Sequence, residues 1–265
     1  MNNLEHFSTK FQRTRRNAMK IGAVSAFAIL AKLAKPTPAA AVSGPATGEC
    51  FLKGTTIRTA DGGRNVESLA IGDLLPTVFG GMRPIQWIGC YRYKRSDPSR
   101  PWVKDVLPVR IARSALGPGV PHSDLYLTQW HALFIDDVLV PVGSLVNGTS
   151  IALYDANEFD ELEFFHIKLE SHDVIYAEGA PCETLLKVSE ASLNFADYLR
   201  QYGTPEIDEL PCVPLLTFNG GRSQVESRFR SAVSPWFDRR QKIDVIRDRL
   251  EERGIALCRQ PASIS

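Results

Sequence analysis

Neither GxGxxG nor GxxxxGK[ST] occurs in this 265-residue sequence, which removes the common dinucleotide and nucleoside triphosphate readings. A charge excess of one sign is missing too. Thirty-one Lys and Arg stand against 30 Asp and Glu, for a formal net charge of +1, so no global field points to a nucleic-acid partner. Cysteine is scarce: Cys50, Cys90, Cys182, Cys212 and Cys258, with no CxxC pair. That is too thin for a disulfide framework in a chain of this length, and the spacing argues against a structural zinc site. No metal and no cofactor is expected. The odd count leaves at least one thiol unpaired and raises the question of its reactivity. A long uninterrupted apolar run is also lacking. The best stretch, IGAVSAFAILAKLA at 21–34, is broken by Lys32 and falls short of the roughly 20 residues a membrane span needs.

What is present at the N-terminus is a leader-like order of segments. FQRTRRNAMK is basic, the run after it is apolar, and KPTPAAA is rich in small residues suited to cleavage. Arg15-Arg16, preceded by Thr14 and followed by Met19-Lys20, resembles a twin-arginine export signal. Residues 1–41 are therefore expected to be an export leader, placing the product in a bacterial periplasm or outside the cell, with no stable membrane span after processing. Residues 42–49 read as a short linker.

From residue 50 the pattern is mainly β. TTIRT and NVESL flank a turn at Asp61-Gly62-Gly63 and predict a hairpin. DVLPVRIA at 105–112 predicts a strand that Pro108 places at an edge. LFIDDVLVPV at 133–142 predicts a hairpin turning at Asp136-Asp137, and ELEFFHIKLE and SHDVIYAEG predict two more strands. Short strands with Gly and Pro turns indicate a compact β-structure over 50–188. Residues 189–265 then form a helical extension. SEASLNFADYLRQYG predicts a helix capped by Ser189 or Ser192. Ser234-Pro235 has the signature of a helix start, Trp236, Ile243, Ile246, Leu250 and Leu257 recur on one face, and Gly254 is a plausible stop.

Chemistry is on offer in one constellation. Cys50 heads the β-region in GECFLKGTTI, directly after the small-residue segment. A cysteine so placed is a small buried hydrophobe by default, and nucleophilic use needs a proton-transfer group nearby. Thr128-Gln129-Trp130-His131 lies between the apolar runs LYL and ALFI. In a tight turn, Thr128 and His131 face one point. The hydroxyl can polarise a peptide carbonyl and the imidazole can protonate a departing amide nitrogen. Asp105 and Asp124 are further candidates to orient a base, with nothing local to distinguish them. Gly54, Gly72 and Asp73 read as turn residues.

Taken in order, CFLKGTTIRTADG, VESLAIGD, LYLTQWHALF and EFFHIKLESHDVIYAEG resemble the Hedgehog/intein (Hint) family, and more closely its bacterial Hint-like branch. The resemblance covers about half of the chain. It implies a Hint-type β-fold, a pseudo-two-fold horseshoe, in which Cys50 matches the N-terminal nucleophile and Thr128 and His131 match the pair assisting the acyl shift. His172, in SHDV, matches a histidine of the late family strand that borders the site. His166, in FFHIKL, alternates with apolar residues and reads as a half-buried strand residue. The implied activity is single-turnover self-cleavage: Cys50 attacks the Glu49 carbonyl, a thioester forms, and water or a small nucleophile releases the chain's own leader. The family's splicing end, His-Asn, is absent from HDVIYAEGAPCETL, so cleavage without splicing is expected. Cys182 falls near that end and reads as structural. Other readings stay open: a degenerate Hint fold serving as a secreted binding or structural module, a cysteine hydrolase acting on an external substrate, and a domain whose cargo is the C-terminal helical segment.

Overall fold

The computed structural model describes residues 48–95, 97–188, 190–204, 210–216 and 241–259. The leader reading of 1–41, most of the linker, Ser189, and the helix start at Ser234-Pro235 with Trp236 lie outside the described residues.

In chain order the strands are β1 Phe51–Leu52, β2 Thr56–Thr59, β3 Gly62–Asn65, β4 Leu74–Thr77, β5 Gly81–Pro84, β6 Trp87–Lys94, β7 Val109–Ile111, β8 Leu125–Leu127, β9 Ala132–Ile135, β10 Val138–Pro141, β11 Ile151–Leu153, β12 Glu161–Lys168, β13 Val174–Ala177 and β14 Ala180–Glu183. Among the described residues they form a six-stranded sheet, β11-β7-β8-β1-β12-β6, a second six-stranded sheet, β10-β9-β14-β13-β2-β3, and the hairpin β4-β5. The fold is mainly β, and every pair among these strands is antiparallel. One apolar core serves both six-stranded sheets: Phe51, Leu125, Leu127 and Ile167 of the first pack in the same cluster as Ile57, Leu133, Val140 and Ile175 of the second.

Turn chemistry accounts for much of this topology. Asp136 and Asp137 both take positive φ, 50° and 63°, as a two-residue hairpin turn of the primed kind requires. The β9-β10 hairpin therefore closes where the sequence predicts, with Ile135 opposite Val138. Two local readings are corrected. Val66–Ser68 is a 3₁₀ turn rather than a strand, and β2 pairs instead with the Gly62–Asn65 segment. Lys104–Val106 is also a 3₁₀ turn. Pro108 precedes β7, which lies between β11 and β8 rather than at an edge; a proline just before the strand removes no ladder donor.

Helix α1, Phe195–Tyr202, packs Tyr198 against Trp87. Its N-cap residue is Asn194, not a serine. Ser192 bonds the Tyr91 hydroxyl at 2.8 Å, and Asn194 ties itself to β6, accepting from Cys90 N and donating to Ile88 O. Helix α2, Lys242–Arg259, runs through Gly254 instead of stopping there. A Cβ at Gly254 would lie 2.6 Å from Thr149 Oγ1 and 2.8 Å from Ser150 Oγ. The glycine is thus a close-approach residue that lets the helix lie on the turn before β11, continuing the buried stripe of Ile246 and Leu250.

Candidate functional site

Strand β1 is two residues long, yet it occupies the middle of its sheet, between β8 and β12. Phe51 is opposite Leu127 on one side and Phe165 on the other. Continuing both registers one residue toward the N-terminus sets Cys50 between Thr128 and His166. Antiparallel pairing has done the work of convergence, placing residues 78 and 116 positions away beside one thiol.

Thr128 engages the chain on both sides of Glu49. Its Oγ1 accepts from Cys50 N at 3.0 Å and donates to Gly48 O at 2.7 Å. Its own N–H donates to Cys50 O at 3.1 Å. On the other flank, His166 Nδ1 is 2.7 Å from Glu49 O. A carbonyl oxygen only accepts, so Nδ1 carries the hydrogen and Nε2 is left as an acceptor. The Cys50 Sγ lies 3.5 Å from each ring nitrogen. One imidazole thus touches both the thiol and the carbonyl that the thiol would attack.

The side chains of the pocket are buried. Cys50, Thr128, His131 and His166 are each at most 2% exposed, and Tyr91 packs edge-on against His166. Burial sets the protonation states. It pushes the Cys50 thiol well above its ordinary range, with Glu49 adding to the effect and the Thr128 hydrogen bond opposing it. It pushes His166 down to about 4, against the pull of its bond to the Glu49 carbonyl. It lowers His131 as well, with Glu183 working the other way. The Glu49 carboxyl is pushed up to about 7 by burial and then by Glu183.

The remaining expected residues lie next to this pocket. His131 packs its ring on Phe51, centroids 4.4 Å apart, and its Nε2 is bonded to Glu183 O at 3.1 Å. Its Nδ1 is buried and makes no hydrogen bond of good geometry among the described residues, although the Cys50 backbone is close enough to act on the ring. The contact to the Cys50 nitrogen is therefore made by Thr128. His172 is one step further out, with Nε2 3.5 Å from Glu183 Oε2 and Nδ1 accepting from Cys212 N at 3.0 Å. Asp124 is engaged by Arg110 and the Arg113 N–H, and Asp105 is exposed on its 3₁₀ turn. Neither is bonded to the Cys50 pocket. The residue that the sequence undervalues is His166, which is fully buried rather than half-buried. Its signal is parity: in ELEFFHIK it shares a face with Leu162 and Phe164, which pack in the same cluster as Cys50. Grooves of about 340 and 240 Å³ open at Leu52, Lys53 and Gly54, and none of Cys50, Thr128, His131 or His166 lines them. Among the described residues no His, Cys, Asp and Glu side chains group as a metal site, and no helix is long and apolar enough to cross a membrane.

A sequence model described as the Hint domain matches residues 49–189, just over half of the chain. Comparison with curated proteins gives no match. Among solved structures, the gp41-1 intein is similar at 13% identity, covering 51% of this chain and 98% of that chain with a TM-score of 0.35. A DnaB intein from Synechocystis sp. matches at 10% identity, over 51% of this chain and 98% of that one, TM-score 0.36. A bacterial intein-like domain from Clostridium thermocellum matches at 15% identity, over 51% and 97%, TM-score 0.36.

Proposed function

Since the chain belongs to the Hint domain family, a self-processing family, we propose that Cys50 attacks the carbonyl carbon of Glu49 and moves the upstream chain onto its own sulfur as a thioester. The observation that carries this reading is the position of His166, with Nδ1–H 2.7 Å from the Glu49 oxygen and the ring 3.5 Å from Sγ.

The proposed step starts with the proton on sulfur, as the raised thiol and lowered imidazole affinities dictate. As Sγ closes on the Glu49 carbon, its proton passes to His166 Nε2, and the carbonyl π-electrons move onto oxygen, where Nδ1–H stabilises them. Collapse of that oxyanion breaks the bond to Cys50 N. The proton that His166 Nε2 took from sulfur then passes to that nitrogen, whose own N–H stays held by Thr128 Oγ1. The net result moves the thiol hydrogen onto a new amine. Water or a small nucleophile then cleaves the thioester and frees the leader. An amide is more stable than a thioester, so the fold must supply the driving geometry. Groups held in place can gain roughly 7–11 kcal/mol over free ones.

The burial of Cys50, 2% exposed, favours a substrate that is already part of the chain over an external one. In the same proposal, residues 1–41 act as an export leader of the twin-arginine type. Intact-mass measurement tests the reading: the wild type yields a chain beginning at Cys50, and Cys50→Ala stays full length. Identical products from both would overturn it, leaving a Hint fold kept as a binding or structural module.

A further inference from the structure

We propose that the site reads the residue two positions upstream of the nucleophile, accepting only glycine there, so that its substrate is a polypeptide ending in Gly-Xaa before Cys50. This rests on the acyl-shift reading and adds a specificity determinant to it. Gly48 is not in the left-handed region, unlike Gly54 or Gly72, so backbone freedom is not what holds glycine at this position. The restriction is steric. A Cβ on Gly48 would sit 2.5 Å from His166 Cε1 and 3.3 Å from its Nε2, well inside contact distance.

Two contacts hold the ring in place. Tyr91 packs edge-on against it with centroids 4.6 Å apart. Gly89 of β6 is its cross-strand neighbour. Any displacement also breaks the 2.7 Å bond from Nδ1 to the Glu49 oxygen. The upstream chain is fixed as well, because Gly48 O accepts from Thr128 Oγ1 at 2.7 Å. Thr128 and His166 therefore form a gauge with two jaws, one holding the Gly48 carbonyl and the other filling the space of its missing side chain. A larger residue must push the scissile carbonyl off its donor or lift the upstream chain off Thr128.

The test uses the full chain with hydroxylamine, following leader release by mass spectrometry. A misplacement on the order of 1 Å at the reacting centre costs about 100-fold in rate, and Gly48→Ala is expected to release its leader that much more slowly, with Gly48→Val slower still. Thr47→Ala should match the wild type. Circular dichroism establishes that each variant is folded, and the His166 Nδ1–H resonance gives a readout independent of cleavage. That resonance should shift or vanish in Gly48→Ala and persist in Thr47→Ala. Equal release from wild type and Gly48→Ala, or an unmoved resonance, overturns the glycine requirement alone. No release from the wild type overturns the acyl shift and the requirement together.

Discussion

Cys50 and Cys182 are both buried in antiparallel sheets, 2% and 0% exposed, and burial pushes both thiols up. They differ in what their neighbouring strands supply. Cys182 of β14 faces Leu133 on β9 and Ile175 on β13, and its sulfur meets backbone groups, the Ala180 carbonyl at 3.5 Å and the Ala177 backbone. Cys50 has Thr128 on one flank and His166 on the other. The comparison teaches that a buried thiol is inert by default. At Cys50 two polar cross-strand partners put a hydroxyl and an imidazole within reach of the same residue, the groups that the proposed step uses.

The largest way to sharpen that contrast is paired deletion of the sulfurs. Cys50→Ala is expected to abolish leader release, while Cys182→Ala keeps release near the wild-type rate and loses about 1–2 kcal/mol of stability in denaturant unfolding, the cost of a small core cavity. Next comes the oxyanion donor. His166→Ala should slow release about 100- to 1,000-fold, the usual loss for one such donor, measured by timed mass spectrometry in hydroxylamine.

A pH profile separates the two environments further. The folded state depresses His166 from 6.5 to about 4. The stability that its neutral ring contributes is therefore fully present above pH 6.5 and is lost as pH falls through about 4. Release needs the same neutral Nε2, so its acid limb should centre near pH 4; a limb at 6.5 would contradict the buried geometry. The smallest effect lies far from the thiols. Gly254→Ala should cost about 1–3 kcal/mol by overpacking α2 on the Thr149-Ser150 turn, with release unchanged.

Much of the scaffold was legible because it rests on local rules. The Asp136-Asp137 turn and the alternation in ELEFFHIK specify their strands without help from distant residues. The three-residue spacing of Thr128 and His131 marked the turn beside Cys50. The missed features depend on tertiary approach. His166 looks like a strand residue because it is one, and its proximity to the thiol exists only once β1 pairs with β12. Gly254 carries a helix-stop signal by composition, and packing against the β11 turn overrides it. The division of labour between Thr128 and His131 also could not be read from spacing, since it depends on which side chain faces the Cys50 N–H.

The most direct measurement is tandem mass spectrometry of the fragment that hydroxylamine releases from the wild-type chain at neutral pH. The account predicts a leader whose last residue is Glu49 bearing a C-terminal hydroxamate, the mark of an acyl group trapped from sulfur. A leader ending elsewhere, or one whose Glu49 carries an ordinary carboxylate under saturating hydroxylamine, would contradict it.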